Sequence, residues 1–395
     1  MNDTLFSMGY KRSLLYNKSI SFVCYNSSTH SYKRSTMLVH ICCSVDSHFF
    51  LQKLQQLYPH EKLIGFFYDP NIHPYSEYEL RLLDVKRSCA KLGVDLHVGT
   101  YNYEGWIEAV RGLEDEPEKG KRCVICFDNR LEETAQKALK LGEKVITTTL
   151  LTSPKKSLDQ LALSLHHIAQ KHGLEMVAPD FRKAGGTQEQ FLLAKKDKLY
   201  HQDYCGCLFA LSKQREAQKR WKDELSSPLR PQILPSSIEE RLALYARVME
   251  KEHLGEPVHL EREKFLNYRL LRAWVKTQNG SVIPSYILFY SCFKKESLKG
   301  KIERIEDGVG FFNKEAIRFV TLERFNIQMQ TAYKDVAQML NNPPTVESEL
   351  AFRNTLFPHA LLTLNPIIIL DAFHLGSYEL YTLTKTYDDI REILV

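Results

Sequence analysis

MLVHICCSVDS, residues 37–47, passes from an apolar strand pattern straight into two adjacent cysteines and the start of a helical pattern. Met37 to Cys42 is a short run rich in strand formers, and the helical spacing that begins near Asp46 follows at once. That is how a β-strand feeds a crossover helix in a parallel sheet.

The same alternation repeats downstream. KLIGFFY (62–68), DLHVGTY (95–101), KVITTT (144–149) and LEMVA (174–178) read as strands, with helical patterns near 46–58, 75–92, 124–141 and 157–172 between them and another at 187–198. Strands separated by helices of this length predict right-handed crossovers and an open, doubly wound α/β domain with a parallel sheet. Ligands of such sheets sit beyond the carboxyl ends of the strands. Cys42 and Cys43 end the first strand, Asp69 to Pro74 follow the second, and Thr147 to Lys156 follow the fourth.

Residues 1–36 lack a sustained period and read as a flexible tail, which makes Met37 a candidate start of translation. The Pro- and Ser-rich stretch DELSSPLRPQILPS (223–236) separates a domain at 37–222 from an α+β domain at 223–395. In the latter, Ser237 and Glu240 form a capping box for a helix to about Glu252. A second helix is expected over 260–278, with Arg262, Arg269, Arg272 and Lys276 on one face as a grip for a nucleic-acid backbone. Strands follow at 286–292, 301–306 and 309–312, with Asp307-Gly308 as a hairpin turn, and Pro366 to Leu370 reads as a buried strand. No internal repeat is visible.

The chain has 395 residues, 44% of them hydrophobic, and a formal charge of +5. Residues 1–36 carry +4 of it, 37–220 carry +2 and the remainder −1, so whole-chain basicity says little about partners. Local patches say more. Lys195, Lys196 and Lys198 precede the last cysteine pair, and Lys213, Arg215, Lys219, Arg220 and Lys222 follow it. No run approaches the roughly 20 apolar residues of a membrane span, and no secretory signal core is present, which points to the cytoplasm.

Six of the nine cysteines arrive in three close pairs: Cys42-Cys43, Cys123-Val-Ile-Cys126 and Cys205-Gly-Cys207. In a reducing compartment such pairs serve metals or redox chemistry more often than structural disulfides. A Cys-x-x-Cys pair at a helix start presents two sulfurs to one point, and the helix amides there lower thiolate pKa. With Cys42 and Cys43 added, four thiolates suffice for a tetrahedral zinc or a cubane cluster, a dithiol redox centre being the alternative. Cys205 and Cys207 suit dithiol–disulfide cycling or a second metal, Gly206 permitting unusual backbone angles. Cys24, Cys89 and Cys292 have no close partner and read as packing residues.

These residues carry a resemblance. Met37 to about Leu211 resembles the epoxyqueuosine reductases of the QueH type, which complete queuosine biosynthesis on tRNA. The matching motifs are His40-Ile-Cys-Cys-Ser, Phe67-Tyr-Asp-Pro-Asn-Ile-His-Pro-Tyr-Ser-Glu-Tyr, Lys121-Arg-Cys-Val-Ile-Cys-Phe, Thr147-Thr-Thr-Leu-Leu-Thr-Ser-Pro-Lys-Lys and Tyr200-His-Gln-Asp-Tyr-Cys-Gly-Cys. The resemblance implies a 4Fe-4S cluster on Cys42, Cys43, Cys123 and Cys126, with room for an additional iron beside it, and a redox-active pair at Cys205 and Cys207. Asp46 becomes a candidate ligand or proton donor, and Asp69, His73, Lys155 and Lys156 candidate substrate contacts. The implied partner is tRNA carrying epoxyqueuosine, with the electron donor left open. The implied reaction removes the epoxide oxygen as water, leaving the cyclopentene of queuosine.

The first loop also stands where ATP-pyrophosphatase tRNA-modifying enzymes carry Ser-Gly-Gly-x-Asp-Ser, so an ATP-pyrophosphatase-like fold is expected. Here cysteines replace the glycines that let a backbone wrap a pyrophosphate, which argues against ATP. The competing readings are a zinc-stabilised tRNA-binding module and a cluster-dependent tRNA sulfurtransferase.

Overall fold

The computed structural model describes residues 36–226, 232–293, 295–314, 316–357 and 364–395. The tail expected over 1–36, Thr36 apart, lies outside them, as do residues 227–231 of the Pro- and Ser-rich boundary.

The first half of the chain runs β1 (Thr36–Ile41), α1 (Ser44–Leu57), β2 (Lys62–Phe67), α2 (Tyr75–Leu92), β3 (Asp95–Val98), α3 (Tyr103–Ala109), α4 (Lys121–Leu141), β4 (Val145–Thr148), α5 (Leu158–His172), β5 (Glu175–Met176), α6 (Gly186–Lys196) and α7 (Leu208–Ala217). Its five strands form a parallel sheet in the order β3-β2-β1-β4-β5. Central β1 is buried on both faces, which is why MLVHI shows no polar alternation. Phe50, Leu54 and Val85 of α1 and α2 pack on one side of the sheet, and Leu131, Ala135 and Leu165 of α4 and α5 on the other. Each of the Phe, Leu and Val side chains contributes about 1.5–3 kcal/mol by leaving water. Both faces are thus covered, as expected of a doubly wound sheet.

Boundaries moved where tertiary contacts compete. The strand expected over 95–101 ends at Val98, and Tyr101 instead turns its hydroxyl to donate to the Ile72 carbonyl at 2.7 Å. Helix α4 begins at Lys121 rather than 124, placing Cys123 and Cys126 within its first two turns.

The second half runs α8 (Ile238–His253), β6 (Leu260–Thr277), β7 (Val282–Ile283), β8 (Tyr286–Ile287), β9 (Ser297–Glu306), β10 (Val309–Phe312), β11 (Ile317–Thr321), α9 (Leu322–Met329), α10 (Val336–Asn341), α11 (Val346–Leu356), β12 (Ile367–Leu370) and β13 (Gly376–Leu394). These strands form one sheet in the order β7-β6-β13-β9-β10-β11-β12-β8. Its two edges, β7 and β8, are joined by only Pro284 and Ser285, so the sheet must roll almost into a barrel. Val275, Ile302, Phe312, Phe319 and Leu380 fill its interior. The Asp307-Gly308 hairpin forms with both residues at positive φ, as a two-residue turn between twisted strands requires.

The helix expected over 260–278 is strand β6. The basic residues had suggested a helical stripe, but β6 pairs antiparallel with β13 along its whole length, and that ladder overrides the local spacing. The stripe therefore does not exist as such: Arg269 is buried against Asp223 at 2.6 Å, whereas Arg262 reaches Glu392 at 3.5 Å. Among the described residues no helix is long and apolar enough to cross a membrane.

Helix α8 docks on α2. Its Tyr245 meets Tyr200 edge-on, and Arg87 of α2 donates to Glu252 at 2.6 Å. The capping box at its start forms, Ser237 accepting from the Glu240 N–H at 3.1 Å.

Candidate functional site

The carboxyl ends of β1, β2 and β4 open onto one cavity. Its wall includes Cys42 and Asp46 from the β1–α1 junction, Asp69 from the end of β2, Cys123, Cys126 and Arg130 from α4, Lys155 and Lys156 after β4, and Cys205 and Cys207 before α7. Five of the six paired cysteines thus line a single space, with Cys43 buried directly behind Cys42. Of the proposed substrate contacts, His73 lies apart from this wall. Its ring stacks on Tyr103 with centroids 5.0 Å apart, and its backbone N–H donates to the Gly206 carbonyl at 2.9 Å.

At the mouth of β1, Cys42 Sγ lies 3.7 Å from Cys43 Sγ and 3.8 Å from Asp46 Oδ2. Two sulfurs bound tetrahedrally at about 2.3 Å to one metal stand about 3.8 Å apart, so this pair with Asp46 fits a single ion. The three donor atoms all lie within 4.8 Å of one another. The neighbouring Cys42 thiol, together with burial, pushes the Cys43 thiol well up, and burial raises the Asp46 carboxyl although Gln190 donates to it at 2.6 Å. Bringing a cation among such groups displaces their protons.

The Cys205-Gly206-Cys207 turn is electrostatically lopsided. Burial works against the Cys205 thiolate, but the Lys156 ammonium 2.8 Å away, with Arg130 and Arg81, outweighs it and holds this thiol below its ordinary range. Burial and the charge of Cys205 instead push Cys207 up to about 12. One thiol of the pair is primed as a nucleophile and its neighbour keeps its proton.

The turn is held from below. Arg81 donates to the Tyr204 and Cys205 carbonyls at 3.0 and 3.1 Å, and its Nε donates to Glu77 at 2.7 Å. Gly206 has φ +104°, and a Cβ there would stand 2.9 Å from Ile72 Cγ1 and 3.1 Å from Arg81 Nη1. Gly206→Ala is therefore expected to destabilise the protein by about 1–3 kcal/mol, read as a lower urea midpoint. An unchanged midpoint would mean the turn has an alternative backbone path.

Arg130 is the residue that sequence reading missed. It follows Cys126 by four positions in α4, hence shares its face, and its guanidinium contacts the buried Asp69 carboxylate. Its charge faces Asp69, Cys126, Cys42 and Cys205 together. Burial pushes Asp69 up to about 6 even though Arg130 pulls the other way. The four-residue offset from a cysteine in a predicted helix was the available signal.

The epoxyqueuosine reductase QueH family model matches residues 37–213. Epoxyqueuosine reductase QueH of Helicobacter pylori is 42% identical over 350 residues, 85% of this chain and 94% of that one. The QueH of Thermotoga maritima is 38% identical over 184 residues, which are 93% of its length but 46% of this chain. That of Histophilus somni is 36% identical over 197 residues, 48% of this chain and 79% of its own. Among solved structures, the U34-tRNA thiolase NcsA from Methanococcus maripaludis with its [4Fe-4S] cluster aligns over 55% of this chain and 72% of that one, at 15% identity and a TM-score of 0.30, a likeness too remote to argue from. With identity of this order carried through nearly the whole Helicobacter pylori protein, the chain belongs to the epoxyqueuosine reductase QueH family.

Proposed function

We propose that this chain reduces the epoxide of epoxyqueuosine in tRNA to the cyclopentene of queuosine. The observation that carries this is the family membership joined to the geometry, since five cysteines from three distant segments line one cavity on the sheet rim, with Cys43 buried beside Cys42. It is an oxidoreductase. Epoxide, two electrons and two protons give alkene and water.

Cys42, Cys43, Cys123 and Cys126 would hold a 4Fe-4S cluster; an additional iron bound by Cys42, Cys43 and Asp46 would have to share those two thiolates with it. Such a group supplies one-electron transfer and a Lewis acid for oxygen. The protein's own thiols balance the reaction: Cys205 and Cys207, oxidised from dithiol to disulfide, release two electrons and two protons, and an external reductant then restores them. Lys156 keeps a proton at Nζ beside Cys205, because the charges of Cys205 and Cys123 outweigh the cost of its burial. We read Asp69 and Lys155, which line the cavity, as contacts for the substrate.

The domain carrying this chemistry is 37–222, and 223–395 is an accessory domain. We read the first as an ATP-pyrophosphatase-like fold in which thiols occupy the phosphate loop, supported by the parallel order β3-β2-β1-β4-β5 with Cys42 to Ser47 at its first strand–helix junction. The protein works in the cytoplasm, where its tRNA substrate is found.

Nucleoside analysis of tRNA from a deletion strain tests the activity. Epoxyqueuosine is expected to accumulate in place of queuosine and to disappear when the gene is restored, and normal queuosine levels in the deletion would overturn the reading. Anaerobic purification tests the cofactor: a brown protein containing iron and acid-labile sulfide is expected, and a colourless zinc protein would overturn the cluster.

A further inference from the structure

The rolled sheet of the second half has an inside and an outside, and the two differ in chemistry. Along β6 and β13 the inner residues Val275 and Leu380 are fully buried, while their alternates point out. On that outer side Trp274 of β6 stacks on Tyr381 of β13, centroids 5.4 Å apart and planes 12° from parallel. Cations flank both rings. Lys276 lies 4.3 Å from the Trp274 centroid and Arg272 5.9 Å from that of Tyr381.

The pattern continues onto the next strands. Lys299 and Lys301 of β9 stand opposite Glu379 and Ser377 of β13 on the same face, and Arg304 lies 3.9 Å from the Phe311 centroid on β10. Lys299 pairs with Glu379 at 3.6 Å, and Arg304 with Glu306. Arg272, Lys276 and Lys301 make no ion pair among the described residues, and Arg272 and Lys301 are exposed. Helices α9, α10 and α11 cover the outer side only near β11 and β12, through Val320, Ile367 and Ile369 packed on Phe325, Val336 and Phe352. The far ends of β6 and β13 meet α8 through Leu260 and Leu394, and Arg269 is buried against Asp223. Among the described residues no helix covers the Arg272–Lys276 stretch of β6, the Ser377–Tyr381 stretch of β13, or β9 and β10 on this outer side.

We infer that this open face is an RNA-binding surface that takes the backbone and unstacked bases of the tRNA substrate. Unpaired lysine and arginine heads attract phosphates, and flat aromatic rings held on rigid strands offer stacking platforms that any base fits. An acidic protein partner would not need the rings. The inference rests on the reading above for the identity of the RNA, and it locates the grip in a part of the chain that the chemistry does not require: the Thermotoga maritima relative aligns over nearly its whole length with less than half of this one.

The test uses the full chain and an unmodified tRNA transcript, with binding followed by fluorescence anisotropy across a range of salt. R272E/K276E/K301E is expected to lose roughly 10-fold or more in affinity at moderate salt and to lower the log–log salt slope by about 2. W274A is expected to lose about 5- to 100-fold, a loss that W274F largely restores. The charge reversals lie on an exposed face, so they decide the matter even if W274A fails to fold. Variants that bind with wild-type affinity and slope would overturn the surface, and so would a wild-type chain that ignores the transcript. Reduction of epoxyqueuosine tRNA by the wild type, assayed in parallel, separates the two readings. Wild-type turnover with unaffected variant binding sinks only this surface, whereas lost variant binding without wild-type turnover sinks only the reductase assignment.

Discussion

Cys205→Ser is expected to lower multi-turnover reduction by roughly 10²- to 10⁴-fold while leaving iron content unchanged. Serine keeps the shape of the turn but can neither form a thiolate at neutral pH nor give up electrons. The structure makes Cys205 the reactive member of its pair, with Lys156 2.8 Å from its sulfur and Arg130 and Arg81 adding positive charge. Alkylation checks this directly. At pH 7 iodoacetamide is expected to modify Cys205 well before Cys207, because one thiol is held below its ordinary range and the other pushed up to about 12. A depressed pKa keeps the reaction fast as pH falls toward neutrality, and Lys156→Met is expected to move the decline to higher pH and so to slow Cys205 at pH 7. Full multi-turnover activity in Cys205→Ser would remove the thiol from the reaction, and loss of iron with it would make Cys205 a ligand instead.

The α/β half was legible because its signals are local. Each strand is a short apolar run beside its own helix, and a sheet covered on both faces needs nothing more elaborate than that alternation. The cysteines announced the rim for the same reason, since spacing along the chain places each pair at a strand end or helix start. The second half failed where pairing is remote. LEREKFLNYRLLRAWVKT reads as a charged helix until β13, at the far end of the chain, lies alongside it. Arg130 and Arg81 stayed hidden because an arginine in a helical pattern is usually solvated. Glu77 lies four residues before Arg81 on α2, but only the fold lays the Cys205 turn over that pair and brings Asp69 to Arg130, and only then does burying a guanidinium make sense.

Arg130→Met should cost about 3–5 kcal/mol of stability at pH 8, the penalty for stranding the buried partner of an ion pair. The Arg130 and Asp69 side chains are 3% and 1% exposed; Arg130 contacts Oδ1 of Asp69, and Oδ2 has no hydrogen-bond partner among the described residues. The pH dependence distinguishes a lost charge from a lost shape. Asp69 is a carboxyl whose folded value, about 6, stands above its ordinary one. Below about pH 4 it is protonated in folded and unfolded chains alike, between about 4 and 6 only the folded chain keeps the proton, and above 6 both have released it. Its contribution to stability therefore declines as pH rises through that window and then levels off. Without Arg130 the carboxyl loses its contacting cation and its value climbs further, so the decline continues to higher pH. Urea midpoints at pH 5 and pH 8 should accordingly show a small deficit for Arg130→Met at the lower pH and most of the loss at the higher. An equal deficit at both would mean that the side chain acts by filling space, and that the cation among Asp69, Cys42, Cys126 and Cys205 does not balance the charge of this rim.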